Sequence, residues 1–82
     1  MKRQPTLDEL SLGDEGTITG LTTAGAMRAR LTSLGFLRGN RVRCLFSSAL
    51  GDPRAYGLMG AVVALRREDA ATVCVTGTGG AR

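Results

Sequence analysis

The segment Met27-Arg28-Ala29-Arg30-Leu31-Thr32-Ser33-Leu34-Gly35-Phe36-Leu37-Arg38-Gly39 constrains this chain more than any other, because its spacing sets both a helix and the way that helix ends. Met27, Leu31 and Leu34 recur at i, i+4 and i+7 and share one stripe, while Arg28, Arg30, Thr32 and Ser33 turn toward water. Such a stripe predicts a sheet beneath it. Gly35 supplies a left-handed residue after the last helical position, and Phe36 is then placed to fold back on Leu31. Leu37 extends that apolar contact, and Arg38-Gly39-Asn40 turns the chain into a strand.

Around this helix, placed at about residues 25–34, the chain reads as short strands and turns, in keeping with its 12 glycines. Thr6-Leu7-Asp8-Glu9 matches a capping box, and Leu7, Leu10 and Leu12 are expected to anchor the lead-in. Residues 17–21 form a first strand with Ile18 inward and a bend or bulge at Gly20. Thr22 and Thr23 offer the helix cap. Residues 41–46 alternate, with Val42, Cys44 and Phe46 on the inner face and Arg41, Arg43 and Leu45 on the outer. A loop follows, with Leu50 as an apolar plug and Asp52-Pro53 extending its exit. Two strands, over 54–59 and 61–66, break at Gly60, and the second is apolar on both faces, as in a strand covered on each side. Residues 66–70 read as a single turn, and 72–76 as a last strand with Val73 and Val75 inward and Cys74 outward. The expected fold is mainly β: a small SH3-like barrel of about five strands with one inserted helix, since closure removes exposed edges. Periodicity alone also fits an OB-type barrel. Residues 1–6 are expected to be an extension, 7–76 the barrel domain and 77–82 a disordered tail.

At 82 residues there is room for one modest core and none for a deep cleft. The inventory argues against an enzyme: no histidine, no nucleophile with a plausible base, no phosphate-cradling loop. Two cysteines without a CxxC pair indicate neither a disulfide framework nor a zinc site, and no cofactor is expected. A reducing cytosol fits such usage. The longest apolar run, residues 60–65, is too short to cross a bilayer, and the basic start leads into no signal sequence. Lys and Arg number 11 against seven Asp and Glu, and all the cations but Lys2 are arginines, which favours forked contacts with an acidic partner. Nucleic-acid binding by a basic barrel, or the role of a general adaptor module, is the alternative. With Phe36 and Phe46 both assigned to the core, only Tyr56 is left for base stacking, so no nucleic acid is expected.

Three pieces of the chain resemble the FeoA family of bacterial ferrous-iron transport accessory proteins. They are Arg30-Leu31-Thr32-Ser33-Leu34-Gly35-Phe36, the Gly51-Asp52-Pro53 loop, and Ala64-Leu65-Arg66-Arg67-Glu68-Asp69-Ala70. The likeness runs from Leu7 to Val75. Arg38 departs from it, standing where the family commonly has proline. The resemblance implies an SH3-like fold and a cytoplasmic role beside FeoB, a membrane Fe(II) transporter with a cytoplasmic GTP-binding domain. It implies action by protein contact, possible modulation of that domain, and iron as the transporter's cargo.

The residues expected to make that contact fall in two groups. Arg28, Arg30, Arg38, Arg41 and Arg43 would form one basic face around the helix and its exit, docking on an acidic surface; a merely solvated face is the plainer reading. Leu50, Asp52 and Tyr56 would form a second contact on the loop, against the plainer reading of a buried plug. Catalytic, metal and cofactor residues are not assigned.

Overall fold

A computed structural model describes residues 4–76. Thr6 starts a 3-10 turn, Leu7–Glu9, and its N–H donates to Glu9 Oε1 at 2.9 Å, the return half of the capping box read from the sequence. Five strands follow among the described residues: β1 (Glu15–Leu21), β2 (Arg41–Ser47), β3 (Arg54–Leu58), β4 (Ala61–Leu65) and β5 (Val73–Thr76). Helix α1 (Gly25–Leu34) lies between β1 and β2, and the single turn α2 (Arg67–Ala70) precedes β5. All neighbouring strands are antiparallel, in the order β4-β3-β2-β1-β5. β1 pairs with β2 through Glu15, Gly16 and Thr17 and with β5 through residues 17–21, so it turns the corner between two halves of the barrel.

Helix α1 has the bounds expected, and its end has the geometry expected. Gly35 sits at φ 108°, its N–H donates to Thr32 O at 3.1 Å, and Phe36 N–H donates to Leu31 O at 3.0 Å. These two bonds are a Schellman closure. Leu31 and Phe36 are both buried in one cluster with Leu7, Leu10, Ile18, Val42, Cys44, Tyr56, Leu58, Leu65, Ala70, Val73 and Val75. Met27 and Leu34 are only half-buried against that cluster, so the stripe is anchored at one residue rather than three.

Several expectations are corrected by the structure. No threonine caps α1: its N-cap is Ala24, and Thr22 instead binds Thr72 O through its N–H and hydroxyl. Leu12 and Leu37 are exposed. In β2, Val42 and Cys44 face inward as read, but Phe46 is 58% exposed. The β2–β3 register slips between Cys44 and Phe46, leaving Leu45 as the extra residue; one unpaired residue flips every later side chain to the other face. A similar slip leaves Thr19 unpaired in β1, beside the glycine read as a bulge. β4 is an edge strand with Ala61, Val62 and Ala64 exposed, not a strand covered on each side. The expected tail, 77–82, lies outside the described residues.

Arg54 fastens the lead-in to the sheet. Its Nη1 donates to Leu10 O at 2.6 Å and lies 3.8 Å from Cys44 Sγ. Next to it on β3, burial pushes the Tyr56 hydroxyl from 10.0 up to about 12; Cys44 and Asp8 act in the same direction, and the charge and hydrogen bond of Arg54 oppose. Because the folded value lies above the unfolded one, the stability tied to neutral Tyr56 is complete below pH about 10 and is lost as pH rises toward about 12.

Three outcomes are expected. Leu31→Ala costs about 2–5 kcal/mol in urea unfolding, whereas Leu34→Ala, at a half-buried site, costs about 1–2 kcal/mol. Gly35→Ala costs about 1–2 kcal/mol by the same measurement, because an L residue is strained there. A Cβ would also meet Met59 Cγ at 3.1 Å, which that exposed side chain relieves by moving. Since Tyr56 is the only tyrosine, ultraviolet titration reads it alone: the midpoint falls near pH 12 in the folded chain and about 10 in denaturant.

Candidate protein-contact site

The five arginines assigned to a basic face divide by what they bind. Arg28 lies on α1, and its Nη1 donates to Leu21 O at 3.2 Å and Thr23 O at 3.4 Å, satisfying carbonyls of the β1–α1 connection. Arg41 and Arg43 stand two apart on β2, opposite Thr17 and Glu15 of β1, so both reach one carboxylate. Arg41 Nε is 3.3 Å from Glu15 Oε2 and Arg43 Nη2 is 3.4 Å from Glu15 Oε1, while Arg43 also donates to Gly13 O. Exposed pairs of this kind contribute about 0.2–1 kcal/mol each, and one carboxylate leaves a net positive charge on two guanidinium groups. Arg30 and Arg38 are exposed and have no hydrogen-bond or ion-pair partner among the described residues. They stand on either side of the Gly35 closure, Arg30 on α1 and Arg38 in the turn that Asn40 N–H closes on Leu37 O at 3.0 Å.

The loop residues also divide. Leu50 is 93% exposed, so the plug reading is wrong: it stands at the tip of a loop pinned by Ser48 N–H on Pro53 O and Gly51 N–H on Ser48 O. Asp52 accepts from Arg67 N–H at 2.8 Å through Oδ1, capping α2 across 15 residues. Tyr56 is 1% exposed, in the core beside Cys44, and cannot touch a partner. It followed the loop in sequence, but β3 had already turned it inward. Arg54 was not singled out from the sequence, and nothing in its spacing marks it.

Among the described residues, no three His, Cys, Asp or Glu side chains come together to hold an ion, and no helix is long and apolar enough to cross a membrane. Cys44 is buried and Cys74 half-buried, both as free thiols.

Against known proteins, the model of the FeoA domain family matches residues 6–77. A curated relative, the Fe(2+) transport protein A/Fe(2+) transporter FeoB fusion protein of Porphyromonas gingivalis (strain ATCC BAA-308 / W83), is 37% identical over 67 residues. The match takes in 82% of this chain and spans only 8% of that protein. The solution structure of FeoA from Chlorobium tepidum superposes with a TM-score of 0.81 at 34% identity, covering 87% of this chain and 68% of that one. A crystal structure of Stenotrophomonas maltophilia FeoA complexed with zinc, described as an SH3 domain protein, gives 0.79 at 29% identity, covering 88% and 89%. An SH3-like barrel with a helix after its first strand, carrying the Leu31–Phe36 closure and the Asp52 cap, therefore has its family: this chain belongs to the FeoA family, which is involved in ferrous iron transport.

Proposed function

We propose that this chain acts in the cytoplasm as a non-catalytic accessory of a FeoB-type Fe(II) transporter, docking on its GTP-binding domain and altering its nucleotide cycle. The observation that carries this reading is the fusion in Porphyromonas gingivalis, where a domain like this one shares a polypeptide with the transporter. Two modules joined in one chain meet at high effective concentration, which favours a contact surface between them.

Arg30 and Arg38 supply the charge for such a surface, and Leu50 supplies an apolar anchor. The two arginines are the cations of the predicted face that the fold does not use, so a carboxylate of a partner meets them without breaking an internal bond. Arg41 and Arg43 reinforce the positive field while holding Glu15. Leu50 is exposed on a loop whose backbone is already pinned, so docking orders its side chain but little of its backbone. Iron is the cargo of the transporter in this reading, and the zinc of the Stenotrophomonas protein belongs to that protein.

The test is a binding titration against the isolated cytosolic domain of the cognate transporter, loaded with GDP or a GTP analogue. Binding is expected, and Arg30→Ala with Arg38→Ala should weaken it about tenfold at low salt and less at high salt, mostly through association rate. Leu50→Ala should weaken it mostly through dissociation rate. Full affinity in both variants, or no binding in either nucleotide state, would count against the reading.

A further inference from the structure

The two ends of the sheet are treated differently. Beyond β5 the lead-in covers the edge: Val75 N–H donates to Pro5 O at 3.0 Å, and Thr6 bridges Cys74. Beyond β4 no backbone group pairs among the described residues. β4 reads Ala61-Val62-Val63-Ala64-Leu65, without charge, proline or bulge, the devices by which edges are ordinarily blunted. Val62 is 64% exposed.

The hairpin fixes which groups are free. β3 and β4 are joined by Met59 and Gly60, both with positive φ, at 52° and 76°, as a two-residue type I′ turn requires. The closing pair, Leu58 and Ala61, is the hydrogen-bonded kind, and alternation from it turns the N–H and C=O of Val62 and Ala64 away from β3.

We propose that this edge is a homodimer interface, in which β4 of a second copy pairs antiparallel with β4 about a twofold axis through Val63. In that register Val62 exchanges two hydrogen bonds with Ala64 of the partner, Ala64 does the same with Val62, and Ala61 faces Leu65. Every pair is apolar, so the strand is its own complement. The nearest cations in sequence, the two Arg66 side chains, fall at opposite ends of the new ladder, about 20 Å apart, well beyond the screening length of about 8 Å. Two chains of net charge +4 therefore meet along a neutral strip. Because Pro5 and Thr6 cover the other edge, a β4 strand has no β5 edge on which to continue, and assembly stops at two copies. One five-residue ladder is a small interface, so the dimer is weak, half-formed at roughly 100 μM.

Sedimentation equilibrium of the full chain from about 10 μM to about 1 mM tests this range. The weight-average mass should rise from one chain toward two and level there. Val62→Pro removes an N–H that β3 does not use, and Val62→Lys places a charge on the strip; each should weaken association by about tenfold or more while circular dichroism stays native. If the proline variant does not fold, the lysine variant decides. A single-chain mass throughout, growth beyond two copies, or association unchanged in the folded variants would overturn the proposal. So would a chain that stays monomeric yet binds another protein through an edge that Val62→Lys disables.

Discussion

The left-handed closure at Gly35 holds the rest of the structure in place. It ends α1, and through the Phe36 bond to Leu31 it sets the chain direction that puts Phe36 in the core. Asn40 Nδ2 then donates to Gly35 O at 2.9 Å, which fastens the next turn to the closure. That turn embraces Ile18: Gly39 N–H donates to Ile18 O, and Ile18 N–H donates to Asn40 O. Gly16 consequently meets Val42, and Val42 and Cys44 face inward. A chain of local bonds thus carries one backbone conformation into the register of the central strands.

What was legible in the sequence follows from how many signals each element carries. For α1 the periodicity, the glycine and the following phenylalanine agree, and its bounds came out as read. The last strand alternates Val73, Cys74 and Val75 without a bulge, so inside and outside were clear. In β2 the inner–outer reading failed at Leu45 and Phe46, because both are large and apolar and a slip of one residue leaves no mark in composition. β4 failed for a related cause. An apolar run on both faces fits a central strand or a self-complementary edge, and only the order of the strands separates them.

The candidate contact residues were less legible, since exposure and internal bonding are set by partners distant in sequence. Arg28, Asp52 and Arg43 are drawn into the fold by carbonyls, a helix N–H and a carboxylate that no local pattern announces. Leu50 lies in a loop, where nothing in the sequence separates a plug from a tip. Tyr56 reads as a polar aromatic available to a partner, yet β3 turns it into the core, out of a partner's reach. Of the residues read from the sequence, two unpaired arginines, Arg30 and Arg38, and one exposed leucine, Leu50, keep side chains that the fold does not use among the described residues.

Nuclear magnetic resonance of isotope-labelled chain reads directly which surface the proposed transporter contact uses. On adding unlabelled cytosolic domain, backbone shifts should change at Arg30, Arg38, Arg41 and residues 48–51, with those of residues 61–65 unmoved. Changes confined to residues 61–65, or an unaltered spectrum at saturating domain, would contradict it.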